Sequence, residues 1–276
     1  MRRTLVVEFT KMNGAGNDFI VIDNRFYHFS DQELTDFAKR WCPRQTGIGA
    51  DGVLAMNVSE THDYRMRYVN ADGSLGTMCG NGARCLARFA RLAGVDADDH
   101  AFESDAGVYR AFVPVDGLVR LFVPGPKRFR EEVELTDSGE GAHACFIWTG
   151  TEHAVVMTSD VAGYPVAEHG PTMRRHPALG DAGANIDYVQ VSGPSSLMVR
   201  TFEKGVEAET LACGTGAIAS ALVALQQDKV SGPVIDVVMP GGTLHIGIEG
   251  PPLSPRSLYL EGPADAVFRG TVEVAV

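Results

Sequence analysis

The chain has 276 residues, 45% of them hydrophobic, five cysteines and a formal net charge of −11. That acidity, with no run of like charge, leaves no electrostatic footprint for nucleic acid or an anionic membrane, so a small-molecule ligand is expected. No apolar run approaches the roughly 18 residues of a membrane span, and the start MRRTLVVEFTKMNG breaks up too early for a secretory apolar region, so the chain reads as cytoplasmic.

In chain order, VVEF and DFIVID read as short strands. A helix is predicted over Asp31–Trp41, entered by Ser30 with Glu33 three residues later, the pattern of a capping box. GIGADG at 47–52 matches the string G-x-G-x-x-G, but it precedes the strand-like VLAMNV instead of opening a helix, which argues against a dinucleotide site. After the strand YRMRYV comes MCGNGARC at 78–85. It leads into a helix in which Leu86, Phe89, Ala90 and Ala93 share one face, with Arg84, Arg88 and Arg91 opposite and expected to be wet.

YRAFV and LVRLFV follow, and Pro124, Gly125 and Pro126 mark a seam. AVVM and LMVRTF lead to a near-copy of the earlier phrase, LACGTGAI at 211–218. The run AIASALVALQQ behind it is apolar on nearly every side, so its helix must be enclosed by protein. VIDVVM, TLHIGI, SLYL and VEVAV close the sequence as strands. The repeat predicts two related halves, each of short strands around a helix whose first turn carries a cysteine, with a ligand site between them.

The repeated phrase has a chemistry of its own. A helix start presents unpaired N–H groups and a partial positive charge, so it binds a carboxylate, and glycines let the ligand approach the backbone. The same field favours a thiolate over a thiol. Two such cradles holding Cys79 and Cys213 on opposite sides of one carbon could remove a proton from one face and deliver another to the opposite face, inverting a stereocentre. A single cysteine before a Gly-rich turn is more often packing than catalysis, and the argument rests on the pair. Cys42, Cys85 and Cys145 lack that setting and are expected to be packed thiols, and an odd number of cysteines argues against a disulfide framework. There is no close Cys-x-x-Cys pair for a metal, no phosphate-binding P-loop, and no recognisable setting for a Schiff-base lysine among five lysines. No cofactor is expected.

KMNGAGNDFIVID (11–23), GIGADG, YVNADGSLGTMCGNGARCLARF (68–89), the asparagine of ANID (184–187) and FEKGVEAETLACGTGA (202–217) resemble the diaminopimelate epimerase family, in family order and along the whole chain. The resemblance implies a cofactor-independent two-base epimerase interconverting LL- and meso-diaminopimelate in lysine and peptidoglycan precursor synthesis. It implies an α+β fold of two pseudo-symmetric β-barrel-like domains with central helices and the active site in the cleft between them. The terminal strand would return to the first domain, giving domains of residues 1–118 plus 264–276 and 119–263.

Carried over residue by residue, Cys79 and Cys213 resemble the acid/base pair. Asn17, Asn70 and Asn185 resemble substrate-binding amides, and Gly80, Asn81, Gly214 and Thr215 the carboxylate donors. His153 and Glu203 match polar residues beside the thiols. Two departures concern the distal end of the substrate. The family often has Gly-Asn-Pro-His where this chain has Gly150-Thr151-Glu152-His153, and Glu-Arg-Gly where it has Glu203-Lys204-Gly205. Thr151 and Lys204 are therefore expected to hold the distal group with a hydroxyl and a compact cation in place of an amide and a guanidinium fork. Two other readings stay open: a racemase of another amino acid, and a non-catalytic carboxylate-binding or redox-sensing thiol protein. The expected partner is a small amino acid, not nucleic acid or a membrane. A homodimer is compatible with the chain and not specified by it.

Overall fold

The computed structural model describes residues 4–137 and 140–275. The chain divides into two compact units, Met1–Leu121 with Gly262–Val276, and Phe122–Glu261. Among the described residues no helix is long and apolar enough to cross a membrane.

The first unit is built on strands β1 (Thr4–Gly14), β2 (Asn17–Asp23), β3 (Gly52–Asn57), β4 (Tyr64–Asn70), β5 (Leu75–Gly76), β6 (Asp99–Ser104), β7 (Gly107–Phe112) and β8 (Val119–Phe122). Its helices are α1 (Asn24–Tyr27), α2 (Asp31–Trp41) and α3 (Gly80–Leu92). β1 pairs antiparallel with β2, β2 parallel with β3, β3 antiparallel with β4, β4 parallel with β6, and β6 antiparallel with β7. β5 is a short hairpin return on β4. The predicted capping box is present, with Glu33 N donating to Ser30 Oγ and Ser30 N donating to Glu33 Oε2.

The second unit repeats this order. Its strands are β9 (Lys127–Asp137), β10 (Glu140–Trp148), β11 (Glu152–Met157), β12 (Asn185–Gly193), β13 (Ser196–Glu203), β14 (Ala208–Thr210), β15 (Val234–Met239), β16 (Gly242–Glu249) and β17 (Ser257–Gly262). Its helices are α4 (Val166–Met173) and α5 (Gly214–Gln226). β10 pairs antiparallel with β11, β11 parallel with β12, β12 antiparallel with β13, β13 parallel with β15, and β15 antiparallel with β16, while β14 returns on β13. Element by element this is the scheme of the first unit, with α5 in the place of α3. The edge beside β10 is filled by β9, and the edge beside β1 by the final strand β18 (Asp265–Ala275).

Each central helix is wrapped by its own strands. α3 packs against β1, β2, β3, β4 and β18, and α5 against β10, β11, β12, β13, β15 and β16. Residues 216–224 of α5 are all buried, as its all-round apolar sequence requires. The expected wet face of α3 is a different matter. Arg84 is fully buried and Arg88 nearly so. Arg88 donates to the carbonyls of Pro114, Val115 and Gly117, and Arg91 to those of Ala97 and Val113. Two surface loops thus cover that face, and the fork of a guanidinium lets an arginine satisfy their free carbonyls.

Candidate active site

Asn17 is set by the hairpin that joins β1 to β2. Ala15 and Gly16 form a two-residue turn with φ of 59° and 94°, closed by the Gly14–Asn17 pair, the geometry that a type I′ hairpin turn demands. Asn17 Nδ2 donates to Asp51 Oδ2 at 3.0 Å, and its Oδ1 accepts from Asn81 Nδ2 at 2.6 Å. Asn81 Oδ1 in turn accepts from Arg84 Nη2 at 2.9 Å. Asn70 ends β4, and its amide donates to Ser74 Oγ at 3.0 Å across the NADGS turn.

Cys79 is the N-cap of α3, in extended backbone, and its Sγ accepts from Gly82 N at 3.4 Å. Gly80 and Asn81 occupy the first turn, where helix N–H groups lack partners within the helix. Arg84 turns back on that turn, its Nη1 3.5 Å from Gly80 O. Burial draws its guanidinium down to about 10.

In the second unit Cys213 is the extended N-cap of α5, followed by Gly214 and Thr215. Its Sγ lies 3.5 Å from Thr215 Oγ1. Beneath it runs a buried polar row. His153 Nε2 is 2.9 Å from Thr215 Oγ1, His153 Nδ1 is 2.7 Å from Asp187 Oδ2, and Thr201 Oγ1 donates to Asp187 Oδ1 at 2.7 Å. His153, Asp187 and Thr201 are fully buried. Asn185 Nδ2 lies 3.3 Å from His153 Nε2. Glu203 accepts from Thr210 Oγ1 at 2.6 Å, and its carboxyl and the Cys213 thiol lie close enough to bear on each other's protonation. Burial pushes the Cys213 thiol well above its ordinary value, and the Glu203 and Asp187 carboxyl groups push the same way. Burial likewise raises the Glu203 carboxyl. Asp187 and Thr201 escaped the sequence reading. The signal for them was period-2 spacing, which aims Asp187 at the same side of β12 as Asn185.

Lys204 does not stand as an isolated cation. Its Nζ donates to Glu152 Oε2 at 2.7 Å, and Arg128 Nη2 meets the other oxygen at 2.6 Å. Thr151 Oγ1 lies 3.3 Å from the same carboxylate. Burial alone would raise Glu152, but the bonds from Lys204 and Arg128 win and hold it at about 2, against an ordinary 4.5. A carboxyl depressed on folding stabilises fully above its ordinary value, and that contribution disappears as pH falls through the folded value. Glu152→Gln should therefore flatten acid unfolding between pH 4.5 and about 2, followed by circular dichroism.

The remaining thiols are occupied elsewhere. Burial pushes Cys42 and Cys85 up to about 12, and Cys145 donates to Glu131 O at 2.9 Å while accepting from Gln227 Nε2 at 3.1 Å.

The family model described as diaminopimelate epimerase matches residues 9–124 and 145–267, which takes in both cysteine caps and every site residue named from the sequence. The chain belongs to the diaminopimelate epimerase family. Diaminopimelate epimerase of Chlorobaculum tepidum is 41% identical over 267 residues, covering 95% of this chain and 99% of that protein. The Aquifex aeolicus diaminopimelate epimerase is 36% identical over 279 residues, covering 98% and 99%. Among solved structures, a phenazine biosynthesis protein of the PhzF family from Bacillus anthracis superposes with a TM-score of 0.74 at 15% identity, covering 97% of this chain and 99% of that one. A hydroxyproline epimerase from Agrobacterium vitis gives 0.73 at 13%, covering 100% and 95%. At such identities these structures establish the shared fold of two pseudo-symmetric domains, whereas the diaminopimelate epimerase family rests on the sequence matches.

Proposed function

We propose that the protein is an isomerase that interconverts LL- and meso-diaminopimelate by two-base proton transfer at the α-carbon, with Cys79 and Cys213 as the pair. The observation that carries this reading is the doubled cap: in each unit a cysteine opens a glycine-rich helix enclosed by strands, in a chain of this family. The N–H groups of Gly80, Asn81, Gly214 and Thr215 would receive the α-carboxylate and stabilise the carbanion-like transition state. Asn17, Asn70, Asn185, Glu203 and Lys204 would hold the rest of the substrate, with Thr151 and His153 in support. The reaction needs no cofactor, since carboxylate stabilisation and both proton carriers come from the chain. Its place is the cytoplasm, where five free cysteines stay reduced. The test is chiral chromatography of purified protein with LL-diaminopimelate beside a panel of L-amino acids. Formation of the meso isomer alone is expected.

A second reading, racemisation of another amino acid, has one observation in its favour: Glu152 already occupies the Lys204 ammonium. If Lys204 serves a distal carboxylate, the pair must be shared with Arg128 holding Glu152 aside. Lys204→Ala should then cut kcat/KM for diaminopimelate by about 2–3 kcal/mol, the low end for truncating one member of a charged pair. Glu152→Gln should lower KM. Turnover of a substrate lacking a distal carboxylate, unaffected by either change, would favour the second reading.

A further inference from the structure

The two helix starts are built from matching parts, yet what lies beneath them differs. Strand register makes the positions equivalent: Leu54 faces Tyr68 across β3 and β4, as Asp187 faces Thr201 across β12 and β13. The third glycine position agrees, because a Cβ at Gly82 would meet Leu54 and Phe19, and one at Gly216 would meet Asp187 and Thr201. The first unit therefore seats its helix on apolar and aromatic side chains. The second seats it on a row of hydrogen-bonded polar groups in the core, an arrangement costly unless every member is satisfied. A second contrast runs along the helices, where the fully buried Arg84 of α3 corresponds to Ile218 of α5.

The protons in the polar row can be assigned from what each group is able to do. Lys204 N–H only donates, and it donates to Asn185 Oδ1 at 2.8 Å. The Asn185 amide is thereby oriented, with its Nδ2 toward His153 Nε2. An amide NH2 is no acceptor, so Nε2 accepts and the imidazole proton sits on Nδ1, where Asp187 Oδ2 receives it. Thr215 Oγ1 then donates to Nε2. That spends its one proton and leaves only lone pairs toward Cys213 Sγ. With that hydroxyl proton spent elsewhere, burial and the Glu203 and Asp187 carboxyl groups favour the thiol at Cys213 over the thiolate, against the Gly216 N–H that favours the thiolate.

We propose, building on the two-thiol reading above, that Asp187 is a positioning residue. By fixing the His153 proton on Nδ1 it turns the Thr215 hydroxyl away from Cys213, and so holds Cys213 as the protonated thiol of the pair in the free protein. In the proton-transfer step the Cys213 S–H bond breaks and its proton goes to the α-carbon, while the Cys79 thiolate takes the proton already there. Charge moves from one sulfur to the other, and the reverse reaction returns it. The charged and titratable groups that bear on Cys213 are Glu203 on β13 and Asp187 on β12, with His153 on β11 one step further, against Thr215 and Glu203. Under Cys79 lies the opposite sign, with the Arg84 guanidinium folded onto the first turn of α3.

The test uses nitrogen-15 histidine NMR of the free protein, with His153 assigned by loss of its signals in His153→Gln. The expected spectrum has a protonated Nδ1 and a bare Nε2. In Asp187→Asn, with Thr201 still donating to the side-chain oxygen, the new NH2 faces Nδ1 and the proton moves to Nε2, from which the more distant Asn185 amide has to turn aside. The row then reverses, Thr215 donates to sulfur, and the thiolate absorbance of Cys213, read in a Cys79→Ala background, should appear at lower pH than with Asp187 intact. Turnover should fall through kcat by ~10–100-fold, the loss seen when a partner that orients a metal-bound histidine is removed. A wild-type His153 carrying its proton on Nε2 would overturn the proposal, as would an Asp187→Asn protein in which neither tautomer nor thiolate midpoint moves. Should Asp187→Asn fail to fold, the wild-type spectrum still decides. Neither spectrum involves a substrate, so the outcome stands apart from which amino acid is turned over.

Discussion

Cys79→Ala and Cys213→Ala should each abolish epimerisation while leaving the fold intact. One group must take the α-proton and another must supply its replacement from the opposite face. General acid–base catalysis by a positioned side chain is worth about 10²–10⁴-fold, and in the proposed two-thiol reaction two such contributions would operate in series. The folds should survive because alanine removes a single sulfur at each helix start, although Cys213 is buried. Cys79 is partly exposed, and the carbonyl that starts each helix, which accepts from Ala83 N or Ala217 N, belongs to the backbone and stays. The check is meso-diaminopimelate formation beside the far-ultraviolet circular dichroism of each variant. In deuterated water the unmodified protein should place deuterium at the inverted carbon. Wild-type turnover in either alanine variant would end the two-base reading.

The same substitution at two equivalent glycines should have unequal outcomes. A Cβ on Gly216 would stand 2.4 Å from Asp187 Oδ1 and 3.2 Å from Thr201 Oγ1, against a carboxyl group already held by two hydrogen bonds. Nothing there can give without breaking the row, so Gly216→Ala should destabilise by on the order of 3 kcal/mol, the upper range for overpacking a core. A Cβ on Gly82 would meet Leu54 Cδ2 at 3.1 Å, the far end of a flexible side chain. Alanine also gains roughly 1 kcal/mol of helix propensity over glycine, so Gly82→Ala should lie within about 1 kcal/mol of neutral. Urea melts of both variants measure the difference. Equal losses would mean that the polar row is softer than its geometry.

The repeat made the halves legible because a cysteine cap on a glycine-rich turn leaves a local mark in the sequence. The all-apolar run after Cys213 likewise announced its burial. The arginines after Cys79 misled for a physical reason: helical periodicity separates polar from apolar faces, and it cannot tell water from the free carbonyls of loops at 97 and 113–117 that Arg88 and Arg91 satisfy. α4 was missed because its sequence, VAEHGPTM, contains Gly170 and Pro171, both poor helix residues. Tertiary packing overrides them, since a Cβ at Gly170 would run into Phe202. β12 hid behind its own composition, with Asn185, Asp187 and Gln190 interrupting the apolar pattern. The first two of those belong to the candidate site, so the local conflict and the chemistry share a cause. Lys204 could be named from the resemblance, but its bond to Glu152 closes over 52 positions and leaves no trace along the sequence.

The pairing of β1 with β18 has a bearing on how the protein is made. Thr4 lies opposite Ala275 and Asn13 opposite Asp265, so β1 finds this neighbour only after the entire second unit has been synthesised. Until then β1 has a row of unsatisfied backbone groups on one side, a template for pairing with a neighbouring nascent chain. The second unit faces no such delay, because β9 immediately precedes β10 and closes its edge at once. Birth order and completion order are thus inverted. The half that emerges later can finish first, and the earlier half keeps an open edge until β18 covers it.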